Sequence, residues 1–388
     1  MSDQPSPPEH THADEPLFPI VERMDFFNHA GVAPISPAAA EALRVYARQA
    51  AEQVYIGSGW YRRAGEVKAA AARLINAAGP HEIAFIPNTS TGLAQVANGL
   101  PLGEGDRVVI TNVEYPANRY PWEHLARTRG IELHEVKQQP DGRIDVEEVI
   151  DAITDRTRVV ALSHVQYASG FRIDLKAISD VTRQVPGTCY LCVDAIQSVG
   201  VLPVDVQALG IDFLAADGHK WMLGPEGCGI FYCREDLAPL LTPTVVGWMC
   251  MENAGDYGNY QYALLPDARR FEPGSWNIPG IVALGASLDL LLSVGIEEVW
   301  SRVEALTARL CDGLSTKGYR LFSPRRTEAE RSGIVIFEPG DDKPPAQQIV
   351  DDLGKQHIVI VTREGRLRAS PHYYNTPEQI DRLVDALP

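Results

Sequence analysis

The sequence predicts an α/β fold, with a mainly parallel sheet between helices in a large domain and a smaller α+β domain at the C-terminal end. Short apolar runs typical of buried strands alternate with segments in which apolar residues recur at helical spacing. Polar residues follow several of these runs, at the strand end where open α/β sheets bind ligands. The 388 residues suffice for two domains. We expect a disordered tail over residues 1–16, an N-terminal arm over 17–35, a large domain over 36–265 and a small domain over 266–388.

Composition disfavours several classes of partner. Hydrophobic residues make up 45% and charged residues 22% of the chain, as in an ordinary globular protein. The net charge of −16 argues against nucleic acid or an anionic membrane as a partner. No apolar run approaches the roughly twenty residues that span a bilayer, and residues 1–16 lack the basic and apolar regions of a signal peptide. We therefore expect a cytoplasmic protein.

The six cysteines are scattered along the chain, at positions 189, 192, 228, 233, 250 and 311. Cys189 and Cys192 have CxxC spacing, but residues three apart on a strand point to opposite faces. No second pair completes a zinc site. We expect six buried or semi-buried free thiols in a reducing compartment and no bound metal.

The elements of the large domain follow one another in regular order. Helices are predicted over residues 37–51 and 61–78, and Asp145 is expected to begin another, with Glu147 and Glu148 favoured in its first turn by the helix dipole. Strands are predicted over residues 82–86, 106–111, 158–163, 189–193 and 213–216. Beyond them, a helix is expected over 281–294 and strands over 333–337 and 358–361.

A turn of small hydroxyl residues follows the first of these strands and begins a helix. Thr89 and Ser90 lie in this turn. Hydroxyl groups at a helix start commonly cap the backbone. The same geometry offers free N–H groups and the positive end of the helix dipole to a phosphate.

Two later strands each end at a functional side chain. Asp194 follows the strand at 189–193, and Lys220 comes shortly after the strand at 213–216. Pyridoxal phosphate (PLP) needs a lysine amine to form a Schiff base with its aldehyde and a carboxylate to keep its ring nitrogen protonated. An apolar pocket with nearby positive charge would lower the pKa of such a lysine. Gln197 is close enough to donate to the phenolic oxygen of the cofactor.

The same segments resemble the aminotransferase class V group of PLP enzymes, which includes cysteine desulfurases, kynureninases and isopenicillin N epimerases. The matching segments cover nearly the whole chain and read FFNHAGVAPIS, VDAIQS, PVDVQALGIDF, DGHKWMLGPEGCGIFY and LRASPHYYNTPEQIDRLVDAL. The resemblance implies PLP fold type I with a seven-stranded type of sheet. It also implies an amino-acid substrate that reacts at its α-carbon, with Lys220, Asp194 and Tyr115 as catalytic residues.

On the cofactor side, the resemblance implies that Thr89 and Ser90 hold the phosphate. The family often has a serine where this chain has Asp217, and an ionised carboxylate there would repel the phosphate. We therefore expect Asp217 to point away and His219 to supply the contact. Ser275 takes the position of a family hydroxyl that reaches the neighbouring subunit's phosphate, which predicts a homodimer with shared active sites.

On the substrate side, Arg368 matches the arginine that binds the substrate α-carboxylate, a role that suits the planar guanidinium. Asn28 and Ala30 match a segment that lines the substrate mouth, and Tyr167 is a further pocket residue. Tyr115 stands where desulfurases carry a histidine that stacks on the ring. An aromatic ring can still stack, but tyrosine is the poorer proton shuttle near neutral pH.

A missing residue bears on the reaction. A desulfurase needs a cysteine on a mobile loop before the final arginine, and this chain has none after Cys311. The segment between Val361 and Arg368 is short, and Arg363 and Arg366 within it are expected to be solvated. A persulfide mechanism would then need an earlier cysteine such as Cys250.

Three outcomes remain at the α-carbon: epimerisation, transamination and β-elimination. We favour a lyase that cleaves a C–S or other β-bond, with an epimerase or aminotransferase as alternatives and a desulfurase disfavoured. A non-catalytic scaffold of the same fold is a further alternative. A nicotinamide dehydrogenase is disfavoured because the glycines at 99, 103 and 105 and at 224, 227 and 229 do not form the dinucleotide-binding motif.

Overall fold

The structure is a computed structural model and describes residues 18–388. The tail predicted over residues 1–16, and the first residue of the predicted arm, lie outside the described residues. The remainder comprises a large sheet with helices on both faces and a smaller antiparallel sheet with helices of its own.

The large sheet has seven strands in the order β2-β8-β7-β6-β5-β3-β4. They span β2 (Ile83–Ile86), β3 (Arg107–Thr111), β4 (Glu132–Val136), β5 (Thr157–Ser163), β6 (Tyr190–Asp194), β7 (Phe213–Asp217) and β8 (Gly229–Cys233). Strand β8 runs antiparallel to both of its neighbours, and every other pair is parallel. The mainly parallel α/β sheet is confirmed.

Ten α-helices complete the described chain. They span α1 (Pro37–Glu52), α2 (Trp60–Leu74), α3 (Thr89–Gly99), α4 (Pro116–Arg129), α5 (Val146–Asp151), α6 (Leu175–Thr182), α7 (Ile278–Val294), α8 (Ile296–Thr316), α9 (Ala346–Gly354) and α10 (Pro377–Ala386). Short 3-10 turns lie at Pro19–Glu22, Pro80–Glu82, Glu235–Leu240, Trp248–Cys250, Ala268–Phe271 and Glu328–Glu330. Asp145 caps α5, as predicted, by accepting a hydrogen bond from Glu147 N.

Both faces of the large sheet are buried, which explains the continuous apolar runs of its central strands. One face packs against α2, α5, α6 and α7, and the other packs against α3 and α4. The sheet is therefore a rigid platform, and its polar strand ends are held in place by the packing on either side.

The small domain is a four-stranded antiparallel sheet in the order β12-β13-β10-β9. These strands span β9 (Arg320–Leu321), β10 (Val335–Glu338), β12 (Val361–Arg363) and β13 (Arg366–Ala369). The arm joins this domain, because β1 (Asp25–Phe26) pairs in parallel with β11 (Ile358–Val359). Glu364 and Gly365 connect β12 to β13 with φ angles of 50° and 78°. Two consecutive positive φ angles are typical of a two-residue hairpin turn.

The domain boundary at 265/266 stays a prediction. The packing of α7 favours a later boundary, because Ile281, Leu284 and Leu288 are buried in the same cluster as the large sheet. We propose that the small domain begins near Gly295, which separates α7 from α8.

Among the described residues, no single helix is long and apolar enough to cross a membrane, and α7 with α8 meets the criterion only as a pair bent by 80°. All six cysteines are free and buried, as predicted.

Candidate active site

A cavity of about 410 Å³ opens at the carboxyl ends of the large-sheet strands, between the large domain, the arm and the β12–β13 hairpin. Eleven of the predicted site residues line it, namely Asn28, Ala30, Thr89, Ser90, Tyr115, Tyr167, Asp194, Gln197, His219, Lys220 and Arg368. Ser275 is not among the lining residues of its own chain and is exposed. The structure therefore brings the predicted residues of both the cofactor side and the substrate side into one space.

Asp194 ends β6 and is 2% exposed. Its Oδ1 accepts a hydrogen bond from Ile196 N over 3.1 Å, while its Oδ2 has no partner within residues 18–388. Burial raises the pKa of Asp194, because a carboxylate without solvent favours its neutral form. An orphaned carboxylate oxygen in a cavity suits a charged N–H donor such as a protonated pyridine nitrogen. This acid therefore fits the PLP ring.

Lys220 lies in the same cavity, beyond the end of β7. Burial lowers the pKa of its amine, the positive charges of Arg368 and Arg363 lower it further, and Asp194 opposes them. A lysine with a lowered pKa is neutral for more of the time near neutral pH and can act as a nucleophile and a base. Its Nζ lies 5.7 Å from the centroid of the Tyr115 ring, which borders the space that a cofactor ring would fill.

The start of α3 forms another part of the wall. Asn88 Oδ1 caps this helix by accepting from Thr91 N over 2.9 Å. Thr89 and Ser90 begin the helix and line the cavity, where the first backbone N–H groups and the helix dipole suit a phosphate. Thr89 Oγ1 also accepts from Asp217 N over 3.0 Å, which fixes this turn against the end of β7.

Gln197 links the cofactor side to the arm. Its Nε2 donates to Ala30 O over 3.1 Å, and its Oε1 accepts from Trp221 Nε1 over 2.9 Å. The amide is therefore held both by the arm and by Trp221, the residue after Lys220. Its predicted bond to the phenolic oxygen stays a prediction.

Arg368 forms the substrate side of the cavity and is 1% exposed. Its Nη1 donates to Tyr167 O over 3.3 Å and its Nη2 donates to Asn28 Oδ1 over 3.1 Å, whereas its Nε has no partner within residues 18–388. No carboxylate pairs with this guanidinium among the described side chains. Burial lowers the pKa of Arg368, and Arg363 lowers it further. A buried cation without a carboxylate favours binding of a ligand that brings one.

Arg363 was expected to be solvated, but it lines the cavity beside Arg368. Arg366 does not line it, because its guanidinium stacks 3.8 Å from the Phe322 ring centroid and pairs with Glu338. The sequence alone could not separate these two arginines. The cavity therefore carries a second guanidinium that the motifs did not reveal.

Two tyrosines border the mouth. The rings of Tyr115 and Tyr167 meet edge to face, with centroids 5.2 Å apart, and Tyr167 Oη donates to Glu364 Oε1 over 3.1 Å. Burial and Glu364 raise the pKa of Tyr167 to about 12, so its hydroxyl stays protonated at neutral pH. Tyr167 therefore connects the large domain to the hairpin as a neutral hydrogen-bond donor.

A buried carboxylate that the sequence analysis did not single out, Glu114, precedes Tyr115 and holds the turn that carries it. Glu114 accepts hydrogen bonds from Ser163 Oγ at 2.6 Å, Asn118 Nδ2 at 2.9 Å and Gln166 Nε2 at 3.1 Å. It precedes the first residue of α4, so its network fixes the turn that carries the tyrosine. The feature of the sequence that could have indicated Glu114 is its position three residues after the end of β3.

No cysteine reaches the cavity. None of the six lines it, and Cys250 is fully buried, with its Sγ donating to Val245 O over 4.0 Å. The segment that would carry a loop cysteine is the two-residue turn at Glu364 and Gly365. The described chain therefore places no thiol where it could take sulfur from a substrate.

A lysine with a lowered pKa, an acid with an unpaired oxygen, a helix start and a buried arginine surround one cavity at the edge of a mainly parallel sheet. Together the fold and the site define a PLP-dependent enzyme. The chain belongs to the aminotransferase class-V family, whose model matches residues 27–383. PLP as cofactor and the predicted family are thus confirmed.

Relatives in this family carry different activities in their names. The chain is 34% identical over 347 residues to a probable cysteine desulfurase of Methanothermobacter thermautotrophicus, covering 84% of this chain and 83% of that protein. It is 30% identical to the uncharacterized aminotransferase YcbU of Bacillus subtilis, over 86% of both chains. Its fold superimposes on the cystine C–S lyase C-DES bound to its product cysteine persulfide with a TM-score of 0.87 and 27% identity, covering 96% of this chain and 100% of that one.

Proposed function

We propose that this enzyme is a C–S lyase that acts by β-elimination on an amino acid with sulfur on its β-carbon. The observation that carries the proposal is the composition of the cavity. Lys220 and Arg368 line it, which suffices for chemistry at the α-carbon, but no cysteine is within reach to accept sulfur. The similarity to a cystine C–S lyase supports the same choice.

Each residue then has a defined task. PLP, when bound, withdraws the electron pair that a bond to the substrate α-carbon leaves behind. Arg368 binds the α-carboxylate, Asp194 keeps the ring nitrogen charged, and Lys220 Nζ takes the α-proton. The sulfur leaves with the electron pair of the C–S bond, and the pair from the α-carbon forms the new double bond to the β-carbon. The remaining three-carbon amino product reacts with water to give pyruvate and ammonia.

The guanidinium of Arg363 concerns which sulfur substituent the enzyme prefers as the leaving group. Arg363 and Arg368 line the same cavity, and the positive charge of Arg363 lowers the pKa of Arg368. An incoming α-carboxylate offsets only one of them. We propose that Arg363 favours substrates whose sulfur substituent carries its own carboxylate, because a second anion would relieve the remaining repulsion.

The test is a product screen of the holoenzyme with cystine, S-carboxymethylcysteine, S-methylcysteine, cysteine and alanine in deuterated water. We expect pyruvate and ammonia in equal amounts, with faster turnover for the two carboxylate-bearing leaving groups. Epimerised substrate with deuterium at the α-carbon, or a 2-oxo acid that keeps its sulfur, would replace the lyase with an epimerase or an aminotransferase.

We also propose a homodimer in which Ser275 reaches the partner's phosphate. Ser275 is exposed and does not line its own cavity, and large apolar side chains nearby are exposed, including Trp248, Tyr257 and Tyr260. A buried ion pair supports the loop that carries it, since Lys68 Nζ lies 2.6 Å from Glu272 Oε2. The absence of nucleic-acid and membrane partners remains a proposal, supported by the net charge of −16. A cytoplasmic location also remains a proposal.

Mixed dimers test the shared site. A Lys220→Ala protomer combined with a Ser275→Asp protomer should form one intact site, because the intact lysine and the intact serine then come from different chains. We expect the mixture to regain activity that neither variant has alone. No regain, although mixed dimers form, would place Ser275 outside the partner's site.

A further inference from the structure

The arm residue His29 lies behind the side of the cavity that holds Arg368. Its neighbours Asn28 and Ala30 line the cavity, and Asn28 Oδ1 accepts from Arg368 Nη2 over 3.1 Å. His29 is not among the lining residues of the described chain, and its side chain is fully buried. Burying an imidazole is costly unless its nitrogens have partners. The partners of this ring therefore indicate what it does.

Both ring nitrogens of His29 contact the C-terminal segment that follows Arg368. Nδ1 lies 2.8 Å from Ser370 O, and Nε2 lies 2.6 Å from Tyr374 Oη. Because a carbonyl oxygen can only accept, Nδ1 carries the proton, and Nε2 of the neutral ring accepts from the tyrosine hydroxyl. Burial and the neighbouring His372 lower the pKa of His29 well below its usual value, which keeps the ring neutral. The ring therefore provides one donor and one acceptor.

Tyr374 is itself held by the arm. Its ring stacks on Phe18, with centroids 3.8 Å apart and an interplanar angle of 9°. Phe18 is buried. Burial also raises the pKa of the Tyr374 hydroxyl, so the hydroxyl keeps the proton that it donates to His29. Tyr374 thus contacts the arm through both its ring and its hydroxyl.

Ser370 completes the connection, two residues after Arg368. Its carbonyl oxygen accepts from His29 Nδ1 and also from His29 N, the latter over 3.2 Å. Its hydroxyl accepts from Ala30 N over 3.1 Å. Asn28 and Ser370 form a parallel bridge. The arm therefore lies in a defined register against the segment that carries Arg368, and the imidazole contributes two of the hydrogen bonds between them.

We propose that His29 is a positioning residue for Arg368. By binding Ser370 and Tyr374 at once, its imidazole holds the arm in the register that places Asn28 against the guanidinium. Without the imidazole the two segments can shift, and misplacement of a binding group by about 1 Å can cost roughly 100-fold. The inference rests on the proposed binding of the substrate α-carboxylate by Arg368, and it does not depend on C–S cleavage.

The test uses two reagents that displace Lys220 from the aldehyde of PLP in the holoenzyme. Aminooxyacetate carries a carboxylate and methoxyamine does not, so the ratio of their second-order rate constants measures recognition of the carboxylate. Stopped-flow absorption of the cofactor gives both constants. Neither reagent contains a C–S bond, so the ratio can be measured whichever reaction the enzyme catalyses.

His29→Phe fills the space of the imidazole but loses both hydrogen bonds. We expect it to lower the rate constant for aminooxyacetate about tenfold, since a whole segment shifts, and that for methoxyamine less than about twofold. Tyr374→Phe, which keeps the stack on Phe18, should lower the first constant about threefold. The double variant should react no more slowly than His29→Phe, because the hydroxyl has already lost its acceptor. Tyr319→Phe is the matched control and should change neither constant, since its hydroxyl donates to Pro388 O over 3.4 Å, away from the cavity.

Arg368→Lys separates a positioning role from a merely structural one. In that background His29→Phe should lower the aminooxyacetate constant less than about twofold, because the group that His29 positions is gone. The same loss with and without Arg368 would overturn the proposal, as would equal losses for both reagents. A wild-type ratio in Tyr374→Phe would also overturn it, and this variant carries the comparison if His29→Phe does not fold. A wild-type ratio in Arg368→Lys itself would instead refute the proposed role of Arg368, and the inference with it.

Discussion

The cavity has two walls that are built in different ways. The cofactor wall, formed by Thr89, Asp194, His219 and Lys220, follows the ends of strands that belong to one sheet. The substrate wall, formed by Asn28, Arg363 and Arg368 with their neighbours, joins the arm and the hairpin to the large domain.

This difference indicates that cofactor binding and substrate recognition depend on separate sets of contacts. On the cofactor wall, the pairing of β6 with β7 places Asp194 opposite Ala215 and fixes the acid against the strand that leads to Lys220. On the substrate wall, Arg368 is held by contacts with Asn28 and Tyr167, which lie 340 and 201 residues away along the chain. Changes in one wall should therefore leave the contacts that build the other wall intact, and only charges such as that of Arg363 act across the cavity.

The largest effect is expected on the cofactor wall, from Lys220→Ala. Loss of the amine should abolish the visible absorption of the lysine-bound cofactor and lower turnover by at least about 10³-fold, because the base is lost. Absorption spectra, and mass spectra of peptides after borohydride reduction, measure both effects. Lys176→Ala is the control, since this lysine is exposed and pairs with Asp180. A wild-type spectrum in the Lys220→Ala protein would contradict the assignment of Lys220 as the lysine that binds the cofactor.

On the substrate wall, Arg368→Lys should lower kcat/KM by roughly 100-fold or more while the cofactor spectrum stays unchanged. A lysine cannot reproduce the two parallel bonds that a guanidinium makes to a carboxylate. Arg366→Lys, on the same strand but away from the cavity, is the control and should lose less than about threefold. If cofactor affinity falls as much as kcat/KM, the two walls are not separable.

Arg363→Gln sharpens the comparison, because this residue acts across the cavity on Lys220. Its positive charge lowers the pKa of Lys220, so its removal raises that pKa. Less Lys220 is then neutral at a given pH, and the acidic limb of the kcat profile should move upward by about 0.5 pH unit. KM should rise most for substrates with a carboxylate on the leaving group. An unchanged acidic limb would show that Arg363 does not influence Lys220.

The smallest effect is expected from Asn28→Ala, which removes one acceptor from Arg368 Nη2. KM should rise about twofold with little change in kcat, because a hydrogen bond to a charged group that orients the arginine is lost. Asn28→Asp should also raise KM, since its carboxylate would compete with the substrate for Arg368. A fall in kcat without a change in KM would give Asn28 a role in the chemical step.

The cofactor wall could be predicted from the sequence because its signals are local. A strand followed at its end by an acid, a lysine or a hydroxyl turn is visible without knowledge of the fold, and Asp194, Lys220 and Thr89 were found in this way. Strand β8 was not predicted as a strand, because its reversed pairing between β2 and β7 depends on distant residues.

Fewer residues of the substrate wall could be predicted from the sequence. Arg368 was found through resemblance, while the place of Arg363 in the cavity wall was not predicted, because it depends on how the hairpin lies against the large domain. Glu114 was missed because its hydrogen bonds come from three separate segments. The role of Ser275 stays a prediction, since it depends on a second copy of the chain.

Sulfur balance during turnover tests most directly the claim that this enzyme breaks a C–S bond without a cysteine of its own. Purified holoenzyme is mixed with excess cystine, amino-acid and keto-acid products are quantified, and the intact protein mass is recorded. We predict pyruvate and ammonia in equal amounts, with all of the sulfur in the released persulfide and none added to the protein. Alanine as the main product, together with protein that has gained a sulfur atom on one of its six cysteines, would contradict the account.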